Sequence, residues 1–362
     1  MRIQTEPVGS IPRPIELIEG MKAQAAGQLS KDDLNKLFES ALVDTIQRFE
    51  ATGSPVITDG EQTKPSFATY PISGMTQLAP DGVVIPFADG HTRQLPKITG
   101  GPFRYQAHAG DYVAKARQLT TLPVKQAVIA VSALSLLYPQ EGIEGYNRDQ
   151  FIHDLLNEAE ADIRGSLNNG AYNVQIDFTE ARLSLKLDPS GGLLRSFIDL
   201  NNEVLGRFTE SERKKIGVHS CPGGDHDSTH SADVSYAALL PLLFQLKAGN
   251  FYLEYAGEKN KIAVLNAIKE NSRDSQTIFL GVTNVLDPRV ERPEEIRDLI
   301  LEAATILPVA RLGTTDDCGF SPFADDTSTA RDIAFAKIKA RIDGTRLAEA
   351  ALDKSVFAVS GN

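Results

Sequence analysis

Two cysteines stand in this chain of 362 residues. The first closes the segment Gly217-Val218-His219-Ser220-Cys221, which ends an apolar run and is followed by Pro222-Gly223-Gly224. The second lies in Thr314-Thr315-Asp316-Asp317-Cys318-Gly319, again after an apolar run and before glycine. An imidazole and a thiol two residues apart, a distant second thiol and carboxylates between them form a soft, mixed donor set. Zinc takes sulfur, imidazole nitrogen and carboxylate oxygen in tetrahedral arrangements, and His219, Cys221, Glu254 and Cys318 would offer all three. Structural zinc is commonly held by Cys and His alone, whereas a carboxylate from a distant strand is released more readily when a substrate arrives, so the set points to chemistry.

Each residue also has a plainer reading. Unpaired cysteine is among the most buried residue types, and Cys318 by itself reads as core. Glu254 ends the run Phe251-Tyr252-Leu253, where burial demands a partner, and a cation would satisfy it. His226 and His230, four apart, would complete a rival site with His219 and Cys221 if their loop were helical, but Asp225, Asp227 and Ser228 make it look solvated. Asp59, Glu61 and Asp177 repel one another if they share one mouth, and a substrate ammonium between them relieves this. Asp316, Asp317, Asp325 and Asp326 lack calcium-loop spacing and are expected to be caps and solvated turns.

The elements that must position these side chains alternate. Strands are expected at Glu6 to Gly9, Pro55 to Asp59, Lys125 to Ser132, Asn173 to Asp177, Lys215 to His219, Phe251 to Glu254, Thr277 to Val282 and Pro308 to Gly313. Helices are expected at Asp32 to Ala51, Asp149 to Leu167, Val234 to Leu246, Lys259 to Lys269, Pro293 to Ile306 and Thr329 to Ile342. Alternation of this kind means parallel strands with helical crossovers. A single (β/α)8 TIM barrel over residues 1–362 accommodates it better than an open sheet, and places the strand ends at Ser10, Glu61, Asp177, Cys221, Glu254, Asn284 and Cys318 in one mouth. Tyr70 to His108, rich in Pro and Gly, breaks the rhythm; Val83 to Pro86 and Thr92 to Ile98 read as hairpin strands in an insertion after the second strand that covers the site or mediates contacts.

Composition narrows the function classes. The hydrophobic fraction of 41% supplies a core, and a net charge of −11 with scattered basic residues lacks the footprint of a nucleic-acid binder. No signal-like apolar stretch opens the chain, and the run from Ala237 to Phe244 is interrupted by Pro241 and too short to span a bilayer. The expectation is a cytoplasmic globular protein, where a disulfide is the weaker reading of the two thiols.

Taken together, Val8-Gly9-Ser10-Ile11-Pro12-Arg13, Asp59-Gly60-Glu61, Val174-Gln175-Ile176-Asp177, His219-x-Cys221, Glu254, Pro288-Arg289-Val290-Glu291 and Asp317-Cys318-Gly319 resemble the C-terminal catalytic barrel of cobalamin-independent methionine synthase, from first strand to last. The resemblance implies zinc on His219, Cys221, Glu254 and Cys318, activating homocysteine as a thiolate that attacks the methyl group of a folate donor. It implies Ser10, Glu61 and Asp177 around the amino-acid end, the carboxylates facing the ammonium. Full-length relatives carry a further N-terminal barrel that this chain lacks, and a histidine that serves proton transfer in the seventh-strand motif is replaced by Leu286. Asn284 and Asp287 are the candidates to stand in.

Three functions compete on this footing. The first is methylation of homocysteine by a short synthase, with a methylfolate, another methyl donor or a corrinoid protein as the source. The second is alkyl transfer of the epoxyalkane:coenzyme M transferase type, also similar in its motifs, whose sulfonate-bearing thiol would call on Arg13, Lys64, Arg182 or Lys186. The third is a metal-storing or redox-sensing protein, which has no need of a carboxylate-lined mouth.

Overall fold

Strands of a parallel sheet are covered on both faces, so their residues are buried without alternation. In a computed structural model describing residues 2–360 (Met1, Gly361 and Asn362 of the expected 1–362 span lie outside them), this holds along β2 (Gln126–Ile129), β3 (Val174–Asp177), β4 (Ile216–Ser220), β5 (Asn250–Leu253) and β7 (Leu312–Thr315). With β1 (Gln4–Thr5) and β6 (Thr277–Gly281) they form one seven-stranded parallel sheet in the order β1-β7-β6-β5-β4-β3-β2.

An eighth position closes the ring between β1 and β2. Ile57 bridges Val124 in parallel, with its N–H donating to Pro123 O at 3.0 Å and Lys125 N–H donating to Ile57 O at 2.8 Å. On the other side Ile11 N–H donates to Gly60 O at 3.0 Å and Thr58 Oγ1 donates to Gly9 O at 2.8 Å. The expected strand from Pro55 to Asp59 is thus reduced to one bridge. Pro55 has no N–H to give, and Gly60 and Glu61 both turn the chain at positive φ (65° and 56°).

Other boundaries shift for local reasons. The expected strand from Lys125 to Ser132 ends at Ile129 and turns into the helix Val131–Ser135. That from Pro308 to Gly313 begins only at Leu312, because Val309–Arg311 forms a 3-10 turn. The helices follow their caps. Ser30 accepts from Asp33 N–H to start Lys31–Thr52, and Gly53 ends it at φ 75°. Asn147 and Gln150 form a reciprocal capping box on Arg148–Asn168. Besides Val131–Ser135, five helices among the described residues lie outside the expected ones: Ile15–Ala25, Ala109–Arg117, Glu180–Leu187, Gly192–Leu205 and Glu210–Arg213.

Between Ile57 and β2 the chain forms two antiparallel pairs, Val84–Pro86 with Thr92–Gln94 and Leu78–Ala79 with Lys97–Ile98. No helix among the described residues is long and apolar enough to cross a membrane.

Candidate metal and thiol site

Register brings the strand ends to one level. Asp177 pairs with Ile129 on one side and His219 on the other; His219 pairs with Tyr252, and Gly281 with Thr315. Just beyond these ends, ligand atoms of His219, Cys221 and Cys318 lie within 4.8 Å of one another, all three residues buried. The two free thiols are 3.0 Å apart, Sγ to Sγ. His219 Nδ1 sits 3.1 Å from Tyr252 O. A carbonyl only accepts, so Nδ1 carries the proton and Nε2 the lone pair. Nε2 is buried with no hydrogen-bond partner among the described residues.

An orphaned imidazole nitrogen beside two sulfurs fits a metal of the zinc type, with the second ring nitrogen oriented by a backbone carbonyl as metal-bound histidines usually are. Contact with Cys318 and burial push Cys221 well up, while the hydrogen bond from Cys221, aided by His219, holds Cys318 well below the ordinary thiol range.

Glu254, one residue past β5, stands outside this three-residue group. Its Oε2 meets Arg182 Nη1 at 2.7 Å, and the same nitrogen meets Glu258 Oε1 at 2.6 Å. One guanidinium therefore serves two carboxylates. Burial, then the charge of Asp317, push Glu254 well above the usual carboxylate range. Asp317 aligns the two loops: its Oδ1 accepts from Tyr255 and Ala256 N–H at 2.8 and 2.9 Å, and its Oδ2 from Gly257 N–H at 2.6 Å. Gly281 makes room for this, since a Cβ there would stand 2.1 Å from Asp317 Oδ1. The expectation of solvated turns at Asp316, Asp317 and Asp326 is corrected, as all three are buried; Asp316 pairs with Arg341 at 3.1 Å because the loops fold inward over the barrel.

The acidic wall lies beside the sulfur cluster. Ser10, Glu61, Asp177, His219 and Cys318 line one cleft. Asp59 is not on its wall; Asp59 Oδ1 accepts from Glu61 N–H at 3.0 Å and holds the left-handed turn that aims Glu61. Glu61 Oε1 meets Lys64 Nζ at 3.1 Å, both side chains buried. Burial, and next the charge of Glu61, push Asp177 up to about 6. Asn284 does not join the cleft. Its side chain accepts from Leu286 N–H at 3.0 Å, and its own N–H donates to Glu291 at 2.9 Å. Leu286 packs against the core, and Asp287 caps its own turn by accepting from Arg289 N–H at 2.9 Å.

With the site in view, comparison with known proteins decides the family. Residues 3–332 match the family described as "Cobalamin-independent synthase, Catalytic domain". The chain belongs to that family. A methionine synthase of Saccharolobus solfataricus is 22% identical over 359 residues, covering 99% of this chain and 98% of the relative. One from Pyrococcus furiosus is 21% identical, covering 97% and 94%. The fold is shared with a B12-independent methionine synthase from Shewanella in complex with selenomethionine, at TM-score 0.73 and 17% identity, covering 99% of this chain and 100% of that one. A second structure, described as a putative vitamin-B12 independent methionine synthase from Listeria monocytogenes, gives 0.70 and 20%, with 96% and 98% covered.

In this member of the cobalamin-independent synthase family the opposite wall of the cleft comes from the hairpin. Ile85, Phe87 and Arg93 line it, with Phe87 packed edge to face on His230 and Arg93 on Phe323. Arg93 Nη2 donates to Asp225 Oδ1 at 3.0 Å and to Asp325 Oδ1 at 2.9 Å, while its guanidinium lies 4.2 Å over the Phe323 ring. His91 Nε2 lies 3.1 Å from Asp225 Oδ2, and Ala88 N–H donates to Thr229 O at 2.9 Å. One cation thus fastens the hairpin to the loops that follow Cys221 and Cys318.

The loop holding the rival histidines is neither helical nor solvated throughout. Gly224–Asp225 pairs antiparallel with Ser228–Thr229, and Asp225 and His230 are buried. His230 packs on Gly223, where a Cβ would stand 1.7 Å from Nε2, and its Nδ1 contacts Ser231 Oγ at 2.8 Å. It is not one of the residues whose ligand atoms cluster with the sulfurs among the described residues, and His226 meets the His91 ring edge to face and contacts Asp326. The pairing of the hairpin strands was legible in the sequence, but the partners of His91 and Arg93 were not, because Asp225 and Asp325 lie more than a hundred residues away.

Proposed function

We propose that this protein transfers a methyl group to the thiol of homocysteine, forming methionine in a zinc-dependent reaction. The observation that carries the reading is the unpartnered His219 Nε2 beside two thiols at the end of a carboxylate-lined cleft. His219, Cys221 and Cys318 would hold the ion, and Glu254, a buried carboxylate that shares its counter-ion with Glu258, would be the fourth donor. When bound, zinc supplies the Lewis acidity that keeps a substrate thiol, ordinarily titrating near ~8.5, deprotonated at neutral pH.

The chain's own residues do the rest. The charge of Glu61 raises the cost of ionising Asp177, and an ammonium between the two carboxylates relieves it, which suits an amino-acid thiol. Ser10 borders the same space, its Oγ accepting from Ser321 N–H at 3.2 Å. The hairpin narrows the opening on the far side, limiting water at the nucleophile. The relatives named methionine synthase agree with this reading.

The cations that a sulfonate-bearing thiol would need are already engaged. Arg13 donates to the carbonyls of Glu61, Lys64, Ser321 and Phe323, Lys64 to Glu61 and Ala127 O, Arg182 to Glu254 and Glu258, and Lys186 to Asp233 and His230 O. The coenzyme M reading therefore ranks below, as does metal storage, which leaves the acidic cleft without a use. A corrinoid protein as donor finds no support in the cleft or in the relatives.

Zinc-edge X-ray absorption with and without homocysteine tests the proposal. A third sulfur joining the metal's neighbours, with proton release on binding in calorimetry run in two buffers, is the expected result. Unchanged coordination with no proton release overturns it.

A further inference from the structure

The two carboxylates that line the thiol cleft are held by different means. Side chains two apart on a strand share a face, so Gln175 lies on the same face of β3 as Asp177, nearer the start of the strand. Gln175 is fully buried. Its Nε2 donates to Asp177 Oδ1 at 2.7 Å, and its Oε1 accepts from Lys125 Nζ at 2.7 Å. The strand neighbours of Gln175 are Ala127 on β2 and Gly217 on β4, neither of which carries a polar side-chain atom that could compete for Asp177.

A side-chain amide can be turned either way, and here both neighbours select the same way. Lysine has donors only and takes the oxygen, while an ionised carboxylate has acceptors only and takes the NH2 group. Either neighbour alone therefore keeps the amide donating toward Asp177.

Glu61 is also tied by one oxygen, but to a cation: its Oε1 meets Lys64 Nζ at 3.1 Å. The charge of Glu61 is thus met within the chain. Asp177 forms no ion pair among the described residues, and Gln175 is the one hydrogen-bond donor to its side chain. Its Oδ2 takes no hydrogen bond from them, and the residue borders the cleft beside Ser10, Glu61 and Cys318. An N–H directed at a carboxylate makes a charge-assisted hydrogen bond, stronger than one between neutral groups. That bond fixes the plane of the Asp177 carboxylate.

We propose that Gln175 is a positioning residue for the substrate ammonium, holding Asp177 by Oδ1 so that Oδ2 is left for the ammonium to meet. The inference rests on the homocysteine reading above. It assigns the discrimination between an amino-acid thiol and the same thiol without its amino group chiefly to Asp177 as held by Gln175, and less to Glu61, whose charge Lys64 already meets. Gln175 acts through Asp177 and touches no substrate itself.

The test measures binding to the zinc-loaded protein by titration calorimetry, which needs no methyl donor. The ligands are homocysteine and 4-mercaptobutanoic acid, which keeps the thiol and the carboxylate and lacks the amino group. The wild type is expected to bind homocysteine the more tightly. Gln175→Met keeps the length of the side chain without its donor, and should weaken homocysteine about tenfold while leaving 4-mercaptobutanoic acid within about twofold and zinc at about one per chain. Retained binding of the second ligand shows that the variant is folded with its metal and thiol site intact, a split that general loosening of the barrel would not produce. Gln175→Glu keeps an acceptor for Lys125 but sets a second acceptor against Asp177. It takes the place of the methionine variant should that one fail to fold, and is expected to weaken homocysteine at least as much. A folded variant that keeps the wild-type preference, or that loses both ligands equally, overturns the proposal. A wild type that binds the two ligands equally, or neither, instead overturns the homocysteine reading itself.

Discussion

Two buried polar clusters sit in this barrel, and their bonding is opposite. Toward the N-terminal ends of the strands, Lys125 donates to Gln175 Oε1 at 2.7 Å and lies 3.8 Å over the Tyr252 ring, while Tyr252 OH and Asn173 donate to Glu6 at 2.6 and 2.9 Å. Those atoms have found partners within the chain. At the C-terminal ends, His219 Nε2 has no hydrogen-bond partner among the described residues, two thiols lie 3.0 Å apart, and Glu254 shares its counter-ion. Burial is equal in the two places, so burial does not mark function. What marks it is the kind of atom brought together, since an imidazole nitrogen without a hydrogen-bond partner among the described residues stands beside two thiols, all three of them metal-ligating groups.

The largest expected effect breaks the unsatisfied cluster. Cys221→Ser or Cys318→Ser should lower bound zinc from about one per chain toward zero and cut kcat/KM by more than about 100-fold, since loss of a mere outer partner of a metal ligand already costs about 10- to 100-fold. The thermal midpoint of the metal-free protein should hardly move. Retention of full metal by either variant, measured by plasma emission, would collapse the distinction between the clusters.

Lys125→Met should reverse the pattern, reducing stability by about 3 kcal/mol in urea unfolding while zinc content and KM for homocysteine stay unchanged. The pH dependence carries a sign. Burial lowers Lys125 to about 8 in the folded protein, below the ~10.4 of an unfolded chain. Between these values the unfolded state binds more protons, so this lysine adds stability as pH rises. The stability gap between wild type and Lys125→Met should therefore widen from pH 8 to 10; a constant gap would mean that Lys125 does not titrate there.

The hairpin clasp lies between these extremes, being partly solvent-exposed and bonded at both ends. Arg93→Ala should cost no more than about 1 kcal/mol yet speed amide exchange at Val84–Pro86 and Thr92–Gln94 several-fold. Unaltered exchange would show that the backbone bond from Ala88 to Thr229 holds the hairpin without the arginine.

Much of the site was legible before the fold was seen. His219, Cys221 and Cys318 follow apolar runs, and a barrel places everything that follows such runs at one end. Their donor types then speak for themselves. Glu254 was recognised as a buried acid in need of a cation, but that cation includes Arg182, 72 residues away. The aspartates after Thr315 read as solvated because acidic turns usually are; here their partners, Arg341 and the backbone of residues 255–257, arrive from other elements.

The amino-acid sequence by itself determined the apolar runs, the caps, the turns at positive φ and the kinds of atom at each strand end, because these depend on neighbours within a few residues. The tertiary structure alone decided which of those atoms would be satisfied. Arg93 reaches Asp225 and Asp325 across 132 and 232 residues, and the His219 ring meets the Cys318 thiol from another strand end while its Nε2 has no hydrogen-bond partner among the described residues. A hydrogen bond is a matter of ångströms in space, and separation along the chain does not set that distance.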